Sequence, residues 1–588
     1  MPSPCSKSLA RRDPGLNQDK PGILAIGGAV WGRLADKHTR DAALASLLVT
    51  GVIFLWMLAT RLPDTTRELQ DIFSYLYQSL DFRACVPYAA ALLLALWPPV
   101  QRAGLSLASW CSRHPWQTGL ISALALAFGA RFVYHAHPLS MDEYAPLFQS
   151  RIFAAGELSG RLPPELLNGL VPSGFQNVFI KVARDTGGVI SMYWPGHALL
   201  LTPFTALGVP WLLNPLIGGA TVVVMQKLGW ELFGDHQRSG LAMLCTLGSA
   251  AVTINAMSFY SMPAHLLANA LFALMLVRPS APRAFAAGLI GSLALVLHNP
   301  VPHLLFALPW FAFLAVRRDR LKTLASLLVG YLPLSLLIGL GWIYFFREFG
   351  VTPSALAPAP VAEIGPIALA IRLAGRVFTL PTEQIVGLRI IALGKLWLWS
   401  APALLTFAAV GAWRKHNESG VWFVLGGSAL LTYIGYLFVP YSQGHGWSYR
   451  YFHGAWLVLP LFAVAALNRG QGTRSLSGYL AGCALLGVIA MTTVHALEVE
   501  RFIRAHLAQL PEATAARSDA PRVLIVDTRK GFYAQDLVQN DPFLRDRLII
   551  LISRGREADQ ATMRLHFPRY VRLSEDERGS SWGLPAAH

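Results

Sequence analysis

The sequence predicts a polytopic α-helical membrane protein of about thirteen transmembrane helices. Amphipathic juxtamembrane helices are expected in its first large outer loop, and a small α/β domain outside the membrane at its C-terminus. Three observations carry this. Of 588 residues, 54% are apolar and only 14% charged, against roughly 25% charged in ordinary soluble domains. A single soluble core does not grow to that size at that polarity, so the surplus apolar surface must face lipid. Apolar runs of spanning length then recur along the chain, and short basic clusters separate them.

The spans fall near 43–61, 84–100 and 117–134, then 211–229, 239–258, 262–278, 284–299 and 300–316. The last five lie near 323–346, 387–412, 421–440, 453–467 and 477–496. Residues 1–42 form a polar, basic tail whose one apolar patch, "GILAIGGAV", is too short to span and lacks a small-residue cleavage pattern. No inverted repeat of the secondary-transporter kind is visible.

Positive charge sets the orientation. The tail carries Arg11, Arg12, Lys20, Arg33, Lys37 and Arg40, which makes the N-terminus cytoplasmic. On alternate loops follow Arg102 and Arg113, Lys227 and Arg238, Arg278 and Arg283, "RRDRLK" at 317–322, "RK" at 414–415, and Arg469 with Arg474. The opposite loop 61–83 carries Asp64, Glu68, Asp71 and Asp81. Nearly every loop agrees with this orientation, and the main dissent is "RFIRAH" after the last span. The formal charge of +16 is thus spread over loops, which argues against a nucleic-acid partner. Cys5, Cys85, Cys111, Cys245 and Cys483 are isolated, so neither a disulfide framework nor a zinc site is expected.

This topology puts the loops 135–210, 347–386 and 441–454 on the extracytoplasmic face, with the tail from 497. Within the segment 497–588, "VLIVD" at 523–527 and "RLIILIS" at 547–553 read as strands, with a turn at Gly531 leading into a helix. "DTRKG" matches no nucleotide motif, and a structural cap is the simpler role for this domain.

Four stretches on that face carry chemistry. In "HPLSMDEYAPLFQSRIF", Asp142 and Glu143 sit at the lip of a span. Asp142 has the sequence context of a helix N-cap; Tyr144, Leu147, Phe148, Ile152 and Ala155 then share one helical face. In "ISMYWPGHALL", Tyr193 and Trp194 are interface residues by type, and His197 opens a helix after the Pro-Gly break. In "SQGHGWSYRYFHG", Arg450 stands among Trp447, Tyr449, Tyr451, His445 and His453. It is either an interfacial anchor or a clamp on phosphate, for which a planar guanidinium is suited. Last come His265 and the turn "LHNPVPH" with His298, Asn299 and His303, polar groups that are costly at this depth unless they face protein or a wet cavity.

The succession of "DEY", "YWPGHALL", "ELFGDHQR" and "SYRYF" over roughly residues 117–470 resembles the membrane GT-C glycosyltransferases. The nearest branch is the protein O-mannosyltransferase and aminoarabinose-transferase-like group. The resemblance implies an inverting transfer of a hexosyl or pentosyl unit from a polyprenyl-phosphate donor, outside the cytoplasm, to an acceptor on a glycan, lipid or protein. It matches Asp142 to the catalytic base and leaves Glu143 to orient the acceptor or neighbouring groups. Arg450 would neutralise the donor phosphate, with Tyr449, His445, His298, Asn299, His265, Tyr193 and His197 as further substrate contacts. There are departures: "YWPG" stands for the commoner "YPPG", the turn "HNP" lacks a second cation, and extra spans precede the acidic loop. No DxD motif appears there, so no metal is expected. The bacterial inner membrane is the expected location. The other reading of the same residues is a transporter or flippase for a lipid-linked or anionic solute. That reading expects polar or broken helices near the midplane, whereas the spans look largely free of central charge.

Overall fold

The computed structural model describes residues 36–61, 71–349, 375, 377–418, 420–467, 473–511 and 520–585. Most of the basic tail, the acidic residues Asp64 and Glu68, and most of the loop 347–386 lie outside the described residues.

The chain is a helical bundle with two small sheets at one end. Its first helix, Lys37–Thr60, starts where Asp36 accepts the Thr39 amide at 2.8 Å. A second helical run begins at Ile72, where the Asp71 carboxylate accepts the amides of Phe73 and Ser74. It passes through a π-turn at Tyr77–Asp81 into Phe82–Leu94. After a 92° bend comes Pro98–Arg113, which the sequence leaves as a cytoplasmic loop.

Among the described residues four helices are long and apolar enough to cross a membrane, or five with the bent pair. The four are Lys37–Thr60, Pro210–Phe233, Arg318–Glu348 and Ser475–Leu507. Shorter apolar helices cover Met262–Leu276, Ala281–Val296, Val301–Ala315 and Val421–Leu437. The chain is a multi-pass membrane protein. Where thirteen spans were expected, several apolar runs are broken. The run 239–258 divides into His236–Leu247 and Ala250–Asn255. The run 387–412 divides into Glu383–Leu398 and Leu404–Lys415, with Ala403 at φ 62° between them.

With little hydrophobic drive between helices in lipid, close backbone approach does the packing. Helix Pro115–Phe132 meets Leu213–Phe233 at Gly119 and Gly219, where a Cβ on Gly219 would lie 2.5 Å from the Gly119 carbonyl oxygen. The spans are also not free of charge. Lys395 lies inside Glu383–Leu398, and its Nζ reaches Asp81 Oδ2 at 2.7 Å, both side chains 1% exposed. Asp81, expected in an acidic loop, is thus inside the protein, because Lys395 compensates it.

At one end, a three-stranded antiparallel sheet has Gly188–Ser191 between Gly160–Arg161 and Ile180–Ala183. Near the C-terminus a four-stranded sheet runs in the order Leu548–Ile552, Arg522–Val526, Gly579–Gly583, Val571–Asp576, with its first pair parallel. Both expected strands form. The helix expected after Gly531 is only a 3₁₀ turn, Ala534–Leu537, while Arg556–His566 is a full helix. The helix that the boundary at 497 would cut runs on to Leu507; Arg501 and Arg504 in "RFIRAH" pair with Glu498 and Glu500 along it. The C-terminal sheet also shares its core with the first long loop: Val523, Ile525 and Leu551 pack in one cluster with Tyr144, Phe148 and Val189.

Candidate functional site

The site starts at the helix Met141–Ala154. Ser140, extended at φ −133°, is the residue that precedes the helix. Asp142 therefore lies in the first turn and is not the N-cap expected of it. Carboxylates are favoured there by the unpaired amides of a helix start, but both acidic side chains turn to partners elsewhere.

Glu143 is fully buried. Its Oε2 accepts the Leu139 amide and its Oε1 the Phe259 amide, each at 2.9 Å, so it ties the turn before the helix to the segment 255–260. Burial pushes its carboxyl up to about 8 even though the two amides oppose that shift.

Asp142 keeps 21% of its side chain exposed. Arg450 donates to its Oδ2 from both Nη1 and Nη2, each at 2.9 Å, and the Tyr193 hydroxyl donates to Oδ1. Burial alone raises the Asp142 pKa; the Arg450 charge, the Tyr193 bond and His298 outweigh it, and the net effect is a lowered value. Asp142 is ionised at neutral pH.

Arg450 is aimed by its own loop. Gly446, at φ 118°, lets the chain turn so close that a Cβ there would lie 2.2 Å from Arg450 Cδ. Gly446 thus makes room for the arginine side chain. Gln443 Oε1 accepts the Arg450 amide at 2.9 Å. The carbonyls of Gln443 and His445 accept from Nη1 at 3.1 and 2.5 Å. The guanidinium lies 4.3 Å from the Tyr260 ring centre, a cation–π contact. Its Nε is buried without an acceptor.

Tyr193 is placed by backbone ties between two loops: the Trp194 amide donates to the His298 carbonyl at 3.3 Å, and the His197 amide to the Leu297 carbonyl at 2.9 Å. The Tyr193 and His298 rings lie 4.0 Å apart. Burial lowers the His298 imidazole to about 4, so it is neutral at pH 7.

The structure thus brings together Asp142, Tyr193, His298 and Arg450, with His445 touching Arg450 through its carbonyl. Other expected substrate contacts are spent elsewhere. Asn299 Oδ1 accepts the Val301 amide at 3.1 Å, and His197 Nε2 lies 3.2 Å from the Phe259 carbonyl. The Tyr449 hydroxyl and both His265 ring nitrogens are buried without hydrogen bonds, and neither residue bonds to Asp142 or Arg450.

Three residues at the site were not expected from the sequence: Tyr260, Gln443 and Asp536. Asp536 comes from the C-terminal segment. Its Oδ1 accepts the Met141 amide at 3.0 Å, one residue before Asp142, and its Oδ2 stands 3.4 Å from His445 Nε2. A ring of contacts then closes from Asp536 through Met141, Asp142, Arg450 and His445 back to Asp536. In front of Asp142 a cavity of about 640 Å³ opens, bounded on its far side by residues 528–536.

This arrangement can be compared with solved structures. ArnT from Cupriavidus metallidurans, in a crystal structure bound to undecaprenyl phosphate, superposes with a TM-score of 0.53. The match covers 81% of this chain and 99% of that one at 11% sequence identity. The fold is GT-C-like. The apo crystal structure of the same ArnT gives a TM-score of 0.49 over 79% of this chain and 97% of that one, again at 11% identity. No protein-family model and no curated protein sequence matches the chain. Among the described residues no group of three or more His, Cys, Asp or Glu side chains is placed to hold a metal ion.

Proposed function

We propose that this protein is an inverting glycosyltransferase that moves a sugar from a polyprenyl-phosphate donor to an acceptor hydroxyl on the extracytoplasmic side of the membrane. The observation that carries the reading is the state of Asp142. A carboxylate offers about four lone-pair sites, and three are taken, two by Arg450 and one by Tyr193. The remaining one is on Oδ1, on a carboxylate that lines the cavity. An ionised carboxylate with one open position beside a cavity can serve as a general base, given hydrogen-bond reach to the hydroxyl.

In the proposed step Asp142 takes the acceptor's hydroxyl proton as that oxygen bonds to the anomeric carbon. The bond from that carbon to the phosphate oxygen breaks, and its electron pair leaves on the phosphate. One displacement inverts the carbon. Arg450 stabilises the charge that develops on the leaving phosphate. Tyr193 fixes the base, and His298 packs behind Tyr193. Glu143 holds the loop that aims the base and does not itself take the proton. The likeness to a fold seen with undecaprenyl phosphate supports a polyprenyl-phosphate donor. The charge pattern of the loops supports a cytoplasmic N-terminus and a C-terminal sheet on the outer face.

The test is a transfer assay with purified protein, a polyprenyl-phosphate sugar and a hydroxyl acceptor, comparing wild type with Asp142→Asn. Transfer by wild type and its loss in the variant is the expected result. Solute uptake into proteoliposomes with no sugar transfer would replace this reading with a transporter.

A further inference from the structure

Four stretches of the chain far apart in sequence line the cavity in front of Asp142: two main walls, and with them Asp71 with Ile72 and Gly444 with His445. One wall is the start of the helix Met141–Ala154 with Phe175 and Phe179 from the same loop; the other is the C-terminal segment 528–536. The two walls are fastened together. Tyr533 accepts the Ile72 amide at 3.1 Å, Asp536 the Met141 amide at 3.0 Å, and Gln539 donates to the Pro138 carbonyl at 2.8 Å. At about 640 Å³ the space lies within the roughly 300–1,000 Å³ of small-molecule sites.

Its chemistry is mixed in a particular way. Aromatic faces are offered by Phe175, Phe179, Phe532 and Tyr533, and carboxylates by Asp71, Asp142 and Asp536. The guanidinium in the lining, Arg529, is held by Asp527 through Nε at 2.9 Å and Nη2 at 3.1 Å, so its charge is already matched. His445 also lines the cavity; it is 6% exposed, its Nε2 stands 3.4 Å from Asp536 Oδ2, and its Nδ1 has no hydrogen bond. An acyl chain would cover the lone pairs these carboxylates still have open, and the unbonded Nδ1 of this imidazole, without supplying a donor or acceptor, which is unfavourable. A phosphate or carboxylate on the occupant would meet the excess of negative charge. A sugar fits both halves: its C–H faces pack on aromatic rings, and its hydroxyls donate to carboxylates.

We propose that this cavity is the acceptor site, and that its occupant is a carbohydrate, neutral or carrying an amine, gripped between the first long loop and the C-terminal segment. The proposal rests on the glycosyl-transfer reading for its name, since the hydroxyl that yields its proton to Asp142 would belong to this sugar. The C-terminal segment is then part of the substrate site and more than a structural cap.

Binding is measured without donor, on the full chain in nanodiscs, by saturation-transfer NMR. The probes are cellobiose, the glucosamine disaccharide, glucose 6-phosphate and a serine-containing peptide. One or both unphosphorylated disaccharides are expected to bind. Gln535→Ala, an exposed position on the C-terminal wall, and Phe175→Ala on the other should each weaken that binding about tenfold, the scale of one lost contact. With donor present, each variant should raise the acceptor KM by a similar factor. Binding of only the peptide or only the phosphorylated sugar would overturn the proposal, as would affinities that neither variant alters. Disaccharide binding without any donor cleavage would uphold this site and remove the glycosyl-transfer reading, so the two failures are distinguishable.

Discussion

Two of the carboxylate–cation pairs among the described residues are built for different ends. Asp81 and Lys395 are each 1% exposed and meet at 2.7 Å. Trp399 donates to the second Asp81 oxygen at 2.7 Å, and the Phe73 ring lies 4.9 Å from the ammonium. Asp142 and Arg450 meet at 2.9 Å, but their side chains are 21% and 9% exposed, and Asp142 lines a cavity. The first pair is closed on all sides and joins helices. The second leaves one lone pair of the carboxylate and one guanidinium nitrogen without partners. Burial of a charged pair does not mark a site by itself; a carboxylate with an open position that lines a cavity does.

That contrast predicts opposite phenotypes. Asp142→Asn keeps the shape of the site but removes the base, and should lower kcat for sugar transfer on the order of 10²–10⁴-fold. Its thermal melt should stay near that of wild type, and wild-type turnover by this variant would sink the base assignment. Lys395→Met leaves Asp81 buried without its cation, which costs about 3–5 kcal/mol. It should appear as a large drop in melting temperature, with the activity of the remaining folded protein intact. Adding Asp81→Leu should restore most of that loss, because a buried pair replaced by apolar groups is near neutral. If the double variant melts as low as the single one, the pair has a role beyond closing the bundle.

The same contrast explains what could be read from the sequence. Apolar runs locate most helices because lipid or core contact imposes them locally. Asp142 and Arg450 stood out because an acid and an arginine at loop ends have no local reason to be there. Asp81 was placed in a loop because the residue that compensates it, Lys395, is 314 positions away. Asp142 was read as a cap instead of Ser140, a two-residue error of the kind helix ends invite. The strand Val571–Asp576 is exposed at every position, so no alternation betrays it. Asp536 was invisible as a site residue because its role depends on the C-terminal segment folding back onto the first long loop.

Glu143, next to the base, sharpens the comparison by pH. It is buried like Asp81 but has two amides and no cation as partners. Its carboxyl is raised to about 8 from a usual value near 4.5. Between those values the folded chain holds a proton that the unfolded chain has released, so stability falls as pH rises through this window. The loss is limited to about 1.4 kcal/mol per pH unit for one proton. Chemical denaturation at pH 5, 6.5 and 8 should show the decline, which Glu143→Ala should remove. A wild type that grows more stable over this range would mean that the two amides outweigh burial and that Glu143 is ionised like Asp142.

The smallest effect expected is at Asp536, which borders the cavity but touches neither proposed bond change. Its carboxylate holds the Met141 amide beside the base and stands opposite His445, whose carbonyl holds Arg450. Asp536→Ala removes two links from the ring around the Asp142–Arg450 pair without removing either partner. Losing a hydrogen bond of this kind costs on the order of 1 kcal/mol, so kcat should fall about tenfold or less, with the KM for donor little changed. Asp536→Asn retains an oxygen for the Met141 amide and should recover most of the rate. If the asparagine variant is as slow as the alanine variant, the charge opposite His445 matters more than the amide link. If neither changes kcat, the base is positioned by Arg450 and Tyr193 alone, and the catalytic pair is as self-sufficient as the closed one.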